Sequence, residues 1–167
     1  MRTCLECGFT YGAASRPALI AALGSLGPEI AQRLHGEGNL LRAQRSAEEW
    51  SALEYACHVR DVLLIQRDRL VVALVEETPS FTPMYRDHRV AFDGYNDQDP
   101  EVVGDHVIMA SALFANLCAR LSDEQWRRQL SYNFPSPSRR DVEWMAHHTL
   151  QEGVHHRRDI DRLLGRS

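Results

Sequence analysis

Four stretches of the chain repeat their apolar residues at the three- and four-residue spacing of an α-helix. They cover residues 15–36, 51–77, 99–121 and 138–164. Polar or proline-rich connectors separate them, and no segment alternates apolar and polar residues as a half-buried strand does. The pattern therefore predicts an all-α protein that folds as an antiparallel four-helix bundle.

The predicted helices carry recognisable start signals. Asp99 precedes Pro100, which suits a helix cap followed by proline at the first helical position. In the first helix, Gly27 and Pro28 predict a kink or a division. Two further helices begin with a Ser followed three residues later by an acidic residue, the capping-box pattern: Ser51 with Glu54, and Ser138 with Asp141.

Composition narrows the possible functions. The net charge is −4 and all nineteen basic residues are Arg, so lysine Schiff-base chemistry and a Walker-type phosphate site are excluded. The chain has no basic block for nucleic acid and no apolar run long enough for a bilayer. Its first residues lack the apolar core of a signal peptide, so we expect a cytoplasmic protein. We expect an arm over residues 1–14, then a single domain over 15–167, with a homodimer left open.

Four of the eight histidines lie between residues 147 and 156. At about 100° per residue, neighbouring histidines on one helix point in different directions, so these four do not form a single site. Glu152 and His156 share one flank because they are four residues apart. Together they offer one carboxylate oxygen and one imidazole nitrogen to a metal ion.

A third ligand is needed to hold a metal firmly. His58 is the best candidate, because it begins an inward stripe that continues with Val62 and Ile65 and therefore needs a polar partner. His106 and His88 are alternatives. A hydrogen-bonded core histidine, and a surface pair of Glu152 with His156, are the competing interpretations.

The segments WSALEYACHVRDVL (50–63) and HTLQEGVHHRRDI (148–160) resemble the DinB-like superfamily, including its mycothiol-dependent maleylpyruvate isomerase-like branch. The resemblance implies a DinB-like bundle in which His58, Glu152 and His156 bind a divalent metal. Zinc is favoured, with nickel, iron or manganese as alternatives. It also implies a low-molecular-weight thiol of the mycothiol or bacillithiol type as cosubstrate, activated for S-transfer or thiol-assisted isomerisation.

A long connector, residues 78–100, joins the second and third helices. Connectors of this length are usually functional or disordered, and its aromatic residues argue against disorder. Several of its side chains are candidates to hold a small anionic substrate. They are Tyr85, Arg86, His88, Arg89 and Tyr95. Aromatic residues that merely tie the connector to the bundle are the alternative.

Cys4 and Cys7, followed by Gly8, look like half of a zinc knuckle. A complete site needs further ligands, from His35, His155 or another subunit, while a redox pair or two free thiols are the alternatives. For the protein as a whole, three functions stay open: a thiol transferase or isomerase, a metal-dependent hydrolase, and a non-catalytic bundle in which the metal only joins helices.

Overall fold

The computed structural model describes residues 3–36, 38–46, 48–133 and 136–166. Four long helices form a bundle: α1 (Arg16–Arg33), α3 (Ala52–Val75), α5 (Pro100–Cys118) and α7 (Val142–Leu163). Three short helices lie in the connections: α2 (Gly38–Arg42), α4 (Arg86–Phe92) and α6 (Asp123–Trp126). The predicted all-α four-helix bundle is confirmed.

The order of the long helices around the bundle is α1, α5, α3, α7, since each packs mainly against the next and α7 packs against α1. The first and second long helices therefore lie diagonally across the core. This arrangement places α3 beside α7, although about seventy residues of chain separate them. Residues far apart in the sequence can therefore meet on the facing sides of α3 and α7.

The helix starts agree with the sequence in two of three cases. Ser51 Oγ accepts from the Glu54 backbone N–H at 3.1 Å and the Glu54 carboxylate accepts from the Ser51 N–H at 2.7 Å, which completes the predicted capping box. Asp99 caps α5 as predicted. The predicted start of the last helix at Ser138 is wrong, because α7 begins after its cap Asp141.

Ser138 instead lies in a small sheet, which the hydrophobic pattern of the sequence did not indicate. The sheet has the order β1 (Ser80–Phe81), β2 (Gln129–Tyr132), β3 (Ser138–Asp141), with β1 parallel and β3 antiparallel to β2. Each strand has two to four residues, too few to show alternation. β1 and β2 pair although they are about fifty residues apart in the sequence, and no local pattern indicates that pairing. β2 and β3 are close in the sequence and pair across a short connection.

α1 continues through Pro28 as one helix. Proline has no N–H to offer the Gly24 carbonyl. The Ser111 hydroxyl of α5 donates to the adjacent Leu23 carbonyl at 2.5 Å and lies 3.3 Å from the Gly24 carbonyl oxygen. The same hydroxyl accepts a hydrogen bond from Gly27 N at 3.1 Å. A Cβ on Gly27 would lie 2.7 Å from a Cα atom of α5, so glycine permits this close approach of α1 to α5.

By length and composition alone, α5 would be long and apolar enough to cross a membrane. Its buried residues include Val103, Val107 and Phe114, and the helix packs against both α1 and α3. Burial in the bundle accounts for only part of its apolar composition, because Ile108, Met109 and Leu113 are exposed. The cytoplasmic location stays a prediction.

Candidate metal centre

The packing of α3 on α7 brings the three predicted ligands together. His58 lies in the second turn of α3, and Glu152 and His156 lie on consecutive turns of α7. Their candidate ligand atoms all lie within 4.8 Å of one another. Glu152 Oε2 is 3.7 Å from His156 Nε2, and the two imidazole ring centres are 4.9 Å apart.

His58 is almost completely buried, with 1% of its surface exposed. Neither of its ring nitrogens has a hydrogen-bond partner among the described residues. Its ring neighbours are the rings of Trp50 and His156. A buried imidazole without a partner is costly, and a cation placed among these three side chains would remove that cost.

His156 is held by a residue that sequence reasoning missed. Its Nδ1 lies 3.0 Å from Asp159 Oδ2, and its ring stacks on Tyr55 with centres 5.1 Å apart. When the neutral ring carries its proton on Nδ1, this N–H donates to Asp159 and the lone pair of Nε2 is directed toward Glu152, the arrangement common around metal-binding histidines. The signal was available, since Asp159 follows His156 by three residues on one helix face.

The protonation equilibria of the three side chains differ. Burial lowers the pKa of His58 to about 3, so this ring is neutral. Burial alone would raise the pKa of Glu152, but the neighbouring imidazoles, His156 first among them, outweigh it and hold that pKa at about 2. Burial would lower the pKa of His156, yet the carboxylates of Asp159 and Glu152 raise it. A neutral imidazole and an ionised carboxylate are the forms that bind metal.

The cluster lies at the wall of a cavity of about 300 Å³. His58 and Glu152 both line it, and so do three of the predicted substrate-binding residues, Tyr85, Arg86 and His88. The remaining wall is mainly apolar, with Val62, Ile65, Phe81, Pro83 and Met84. An apolar wall with a few converging polar groups is typical of a small-molecule site.

The other two substrate-binding candidates do not line this cavity. Tyr95 is fully buried, and its hydroxyl donates to Asp61 Oδ2 at 2.5 Å. Arg89 contacts the same carboxylate oxygen at 3.4 Å and donates to the Met84 carbonyl at 2.8 Å. These contacts tie the long connector to α3, which is the alternative role that the sequence left open.

Several cavity residues had no counterpart in the sequence analysis. Gln66 and Arg69 continue the His58 stripe of α3 along the cavity, so helical periodicity could have identified them. Tyr132 of β2 and His148 of α7 could not be placed without the tertiary structure. Gln66 Nε2 donates to the Tyr132 hydroxyl at 3.1 Å, and His148 Nε2 lies 4.0 Å from Glu152 Oε1.

The other histidines that the sequence offered as metal ligands lie away from this cluster or point to a different one. His106 is exposed on α5, and His35 is exposed after α1. His155, next to His156 in sequence, points toward Cys4 and Cys7, and its Nε2 also lies 3.9 Å from Asp159 Oδ2. The structure thus forms a second cluster of candidate ligands at the N-terminal arm (residues 3–14).

Comparison with known proteins agrees with this geometry. The family model of the DinB superfamily matches residues 13–160. The chain belongs to the DinB superfamily. No curated protein sequence matches it. Among solved structures it is similar to YfiT from Bacillus subtilis, with a TM-score of 0.78 and 17% identity over 95% of this chain and 94% of that one.

YfiT is described as a probable metal-dependent hydrolase with an unusual four-helix bundle topology. At this identity the likeness shows the fold. The DinB match includes His58, Glu152 and His156, whereas Cys4 and Cys7 precede the matched span. The ligand cluster at the cavity therefore lies within the superfamily's domain, and the thiol cluster involves residues before it.

Proposed function

We propose that this protein is a divalent-metal-dependent enzyme in which His58, Glu152 and His156 hold the metal. The observation that carries the proposal is the buried, unpartnered His58 imidazole facing a carboxylate and a second imidazole across less than 4.8 Å. Two imidazoles and one carboxylate suit zinc first, with nickel, iron and manganese as alternatives. Three protein ligands leave room for a further one from the cavity.

A bound divalent cation would lower the pKa of a coordinated water or thiol enough to supply a deprotonated nucleophile near neutral pH. The residues of the chain prepare the site for this chemistry. Asp159 orients His156, and apolar side chains of α3 and the connector line the cavity beside the ligands. Arg86 and Arg69, both at the cavity wall, are placed to attract and orient an anionic group of the substrate.

Hydrolysis of a small molecule is the reaction that we favour. The structurally similar YfiT carries the description of a metal-dependent hydrolase, and water needs no recognition site of its own in a cavity of this size. The substrate class is a compact ester or amide with an anionic group, since the wall combines apolar area with arginine side chains.

Transfer to a low-molecular-weight thiol is the second candidate. The Glu152-x-x-x-His156 form resembles that of mycothiol-dependent isomerases, and the cavity wall includes polar groups such as Asp87 and Asn133 that suit a polar cosubstrate. The two candidates share the metal and differ only in the nucleophile. One assay can therefore distinguish them.

The test begins with the Cys4→Ser, Cys7→Ser variant, which lacks the thiols of the second cluster. This variant is loaded with one equivalent of zinc and given a panel of activated esters and amides, each with and without a bacterial thiol. Turnover without thiol supports hydrolysis, and a product with a new C–S bond formed only with thiol supports transfer. His58→Ala and His156→Ala should each reduce turnover and zinc affinity by at least ~100-fold, because a ligand matters more than the residue behind it. His106→Ala, an exposed histidine on α5, is the matched control.

Two results would contradict the proposal. Failure of the Cys4→Ser, Cys7→Ser variant to bind zinc, nickel, iron or manganese at a one-to-one ratio would contradict a metal site at the cavity. Tight binding that raises the melting temperature without turnover on any substrate would instead identify a metal that only joins α3 to α7.

A further inference from the structure

A second group of metal-ligand side chains lies on the outer side of α7. Cys4 and Cys7 of the N-terminal arm face His155, and the candidate ligand atoms of the three lie within 4.8 Å of one another. All three residues are half-buried, and both cysteines are free thiols. This cluster is separate from the cavity, because none of its members lines it.

The backbone around the two cysteines has the form of a tight turn. Cys4 N donates to the Phe9 carbonyl at 2.8 Å, and Gly8 N donates to the Cys4 carbonyl at 2.9 Å. Gly8 has a φ of +72°, which L side chains rarely adopt. The turn therefore depends on glycine directly after the second cysteine, and it brings both sulfur atoms to the same side.

The turn also directs donors at the sulfur atoms. The backbone N–H groups of Cys7 and Glu6 lower the pKa of the Cys4 thiol. Burial raises the pKa of Cys7, and the Phe9 backbone N–H opposes this effect. Peptide N–H groups directed at sulfur stabilise thiolates, the form that binds metal.

The histidine has an unused nitrogen. His155 Nδ1 is buried and has no hydrogen-bond partner among the residues that the structure describes. Its Nε2 lies 3.4 Å from Glu6 Oε2, which belongs to the same turn. The Glu6 carboxylate is thus within reach of the cluster as a fourth ligand.

We propose that Cys4, Cys7 and His155 bind a second divalent cation that fastens the N-terminal arm to α7. Two thiolates and one imidazole are the donors of structural zinc sites, so zinc is the expected ion. Binding releases the thiol protons to solvent and involves no oxidation. The proposal does not depend on the metal at the cavity, since the two ligand sets share no residue.

The consequence for the arm follows from its contacts with α7. Arg158 Nη1 donates to the Glu6 carbonyl at 3.1 Å, and the Tyr11 hydroxyl lies 2.9 Å from His148 Nδ1. His148 lines the cavity. The cation would therefore fix one end of a segment whose other end contacts the wall of the cavity.

Titration with cobalt(II) tests the proposal, because cobalt bound to thiolate absorbs in the near ultraviolet and cobalt bound only to nitrogen and oxygen does not. The reduced full chain should show this charge-transfer band. Cys4→Ser, Cys7→Ser and His155→Ala should lose or strongly weaken it, with circular dichroism verifying that each variant is folded. His58→Ala should keep the band, which separates this site from the one at the cavity. Cys118→Ala, which removes a buried thiol of α5, is the matched cysteine control.

Absence of the band in the reduced, folded wild-type protein would overturn the proposal. So would a band that survives in the Cys4→Ser, Cys7→Ser double variant. A Cys4–Cys7 disulfide found by intact mass in protein kept with a reductant would overturn it as well, in favour of a redox pair.

Discussion

The two sides of α7 present two clusters of very different chemistry. His156 faces inward with 9% of its side chain exposed, and its neighbour His155 faces the arm with 24% exposed. The inner cluster combines imidazole and carboxylate groups from two rigid helices beside a cavity. The outer cluster combines thiols from a short turn with one imidazole from a helix.

The difference shows how the surroundings decide what a metal can do. Inner ligands come from helices that pack for other reasons, so the space between them can stay open toward a substrate. Outer ligands come from a turn that already directs N–H groups at sulfur, which suits a closed structural site. One helix can thus contribute to a reactive metal centre and to a structural metal site through adjacent residues about 100° apart.

Gly153→Ala is the substitution that should have the largest effect on stability. It changes the buried side of α7 and no residue of the outer cluster. A Cβ at Gly153 would overlap Leu26 Cδ2 and lie 3.0 Å from Leu26 Cγ, and Leu26 is buried. We expect the free energy of unfolding to fall by ~2–3 kcal/mol, measured by urea denaturation, since overpacking displaces α7 from α1.

The matched control is Gly24→Ala on α1. A Cβ there would lie 3.8 Å from Ala115 Cβ, an ordinary contact, and alanine should stabilise the helix by about 0.5–1 kcal/mol. The arm moves with α7, so the cobalt–thiolate band of Gly153→Ala should not change. If Gly153→Ala weakened metal binding at both clusters to the same extent, the two clusters would not be independent.

Asp159→Asn should reduce the zinc affinity of the inner cluster by about 10–100-fold, or ~1.4–2.7 kcal/mol. The neutral amide no longer stabilises the proton on His156 Nδ1 or the ring orientation. Competition with a zinc chelator gives the affinity. Asp161→Asn is the control on the same helix, because it loses a contact with Arg33 and should leave the affinity unchanged. An unchanged affinity in Asp159→Asn would refute the positioning role.

Tyr11→Phe should have a smaller effect, because it breaks only the contact of the arm with α7 beside the cavity. The hydroxyl lies 2.9 Å from His148 Nδ1 and 3.1 Å from Gln151 Oε1. Its removal should cost about 1 kcal/mol of unfolding free energy and leave the cobalt–thiolate band intact. Tyr85→Phe, at an exposed tyrosine, is the control and should leave the free energy of unfolding unchanged. A loss of the band would show that Tyr11 also holds the turn of Cys4 and Cys7.

The smallest effect is expected at Cys118, which serves as the internal reference for thiol reactivity. Burial raises the pKa of Cys118 to about 12, so at pH 8 the thiol stays protonated and unreactive. In metal-free native protein an alkylating reagent should modify Cys4 and Cys7 and spare Cys118, as read by peptide mass spectrometry. Modification of Cys118 at a comparable rate would indicate that α5 opens in the native state.

The errors of sequence reasoning about the fold have a common physical cause. The capping box of Ser51 and Glu54 was predictable because its hydrogen bonds join residues three apart. The start of α7 was misplaced because Ser138 pairs with Tyr132 in the sheet, so the backbone stays extended until α7 begins after Asp141. The role of Tyr95 likewise depends on a carboxylate of α3, thirty-four residues earlier.

The sequence by itself determined the helices, the shared flank of Glu152 and His156, and the divergence of His155 from its neighbour. These follow from the rotation of about 100° per residue, which is a local property of the chain. Only the tertiary structure decided that α3 packs beside α7, so that His58 completes the inner cluster, and that the arm returns to His155. These contacts between distant residues depend on the apolar surface that whole helices bury against one another. A short segment of sequence does not carry that information.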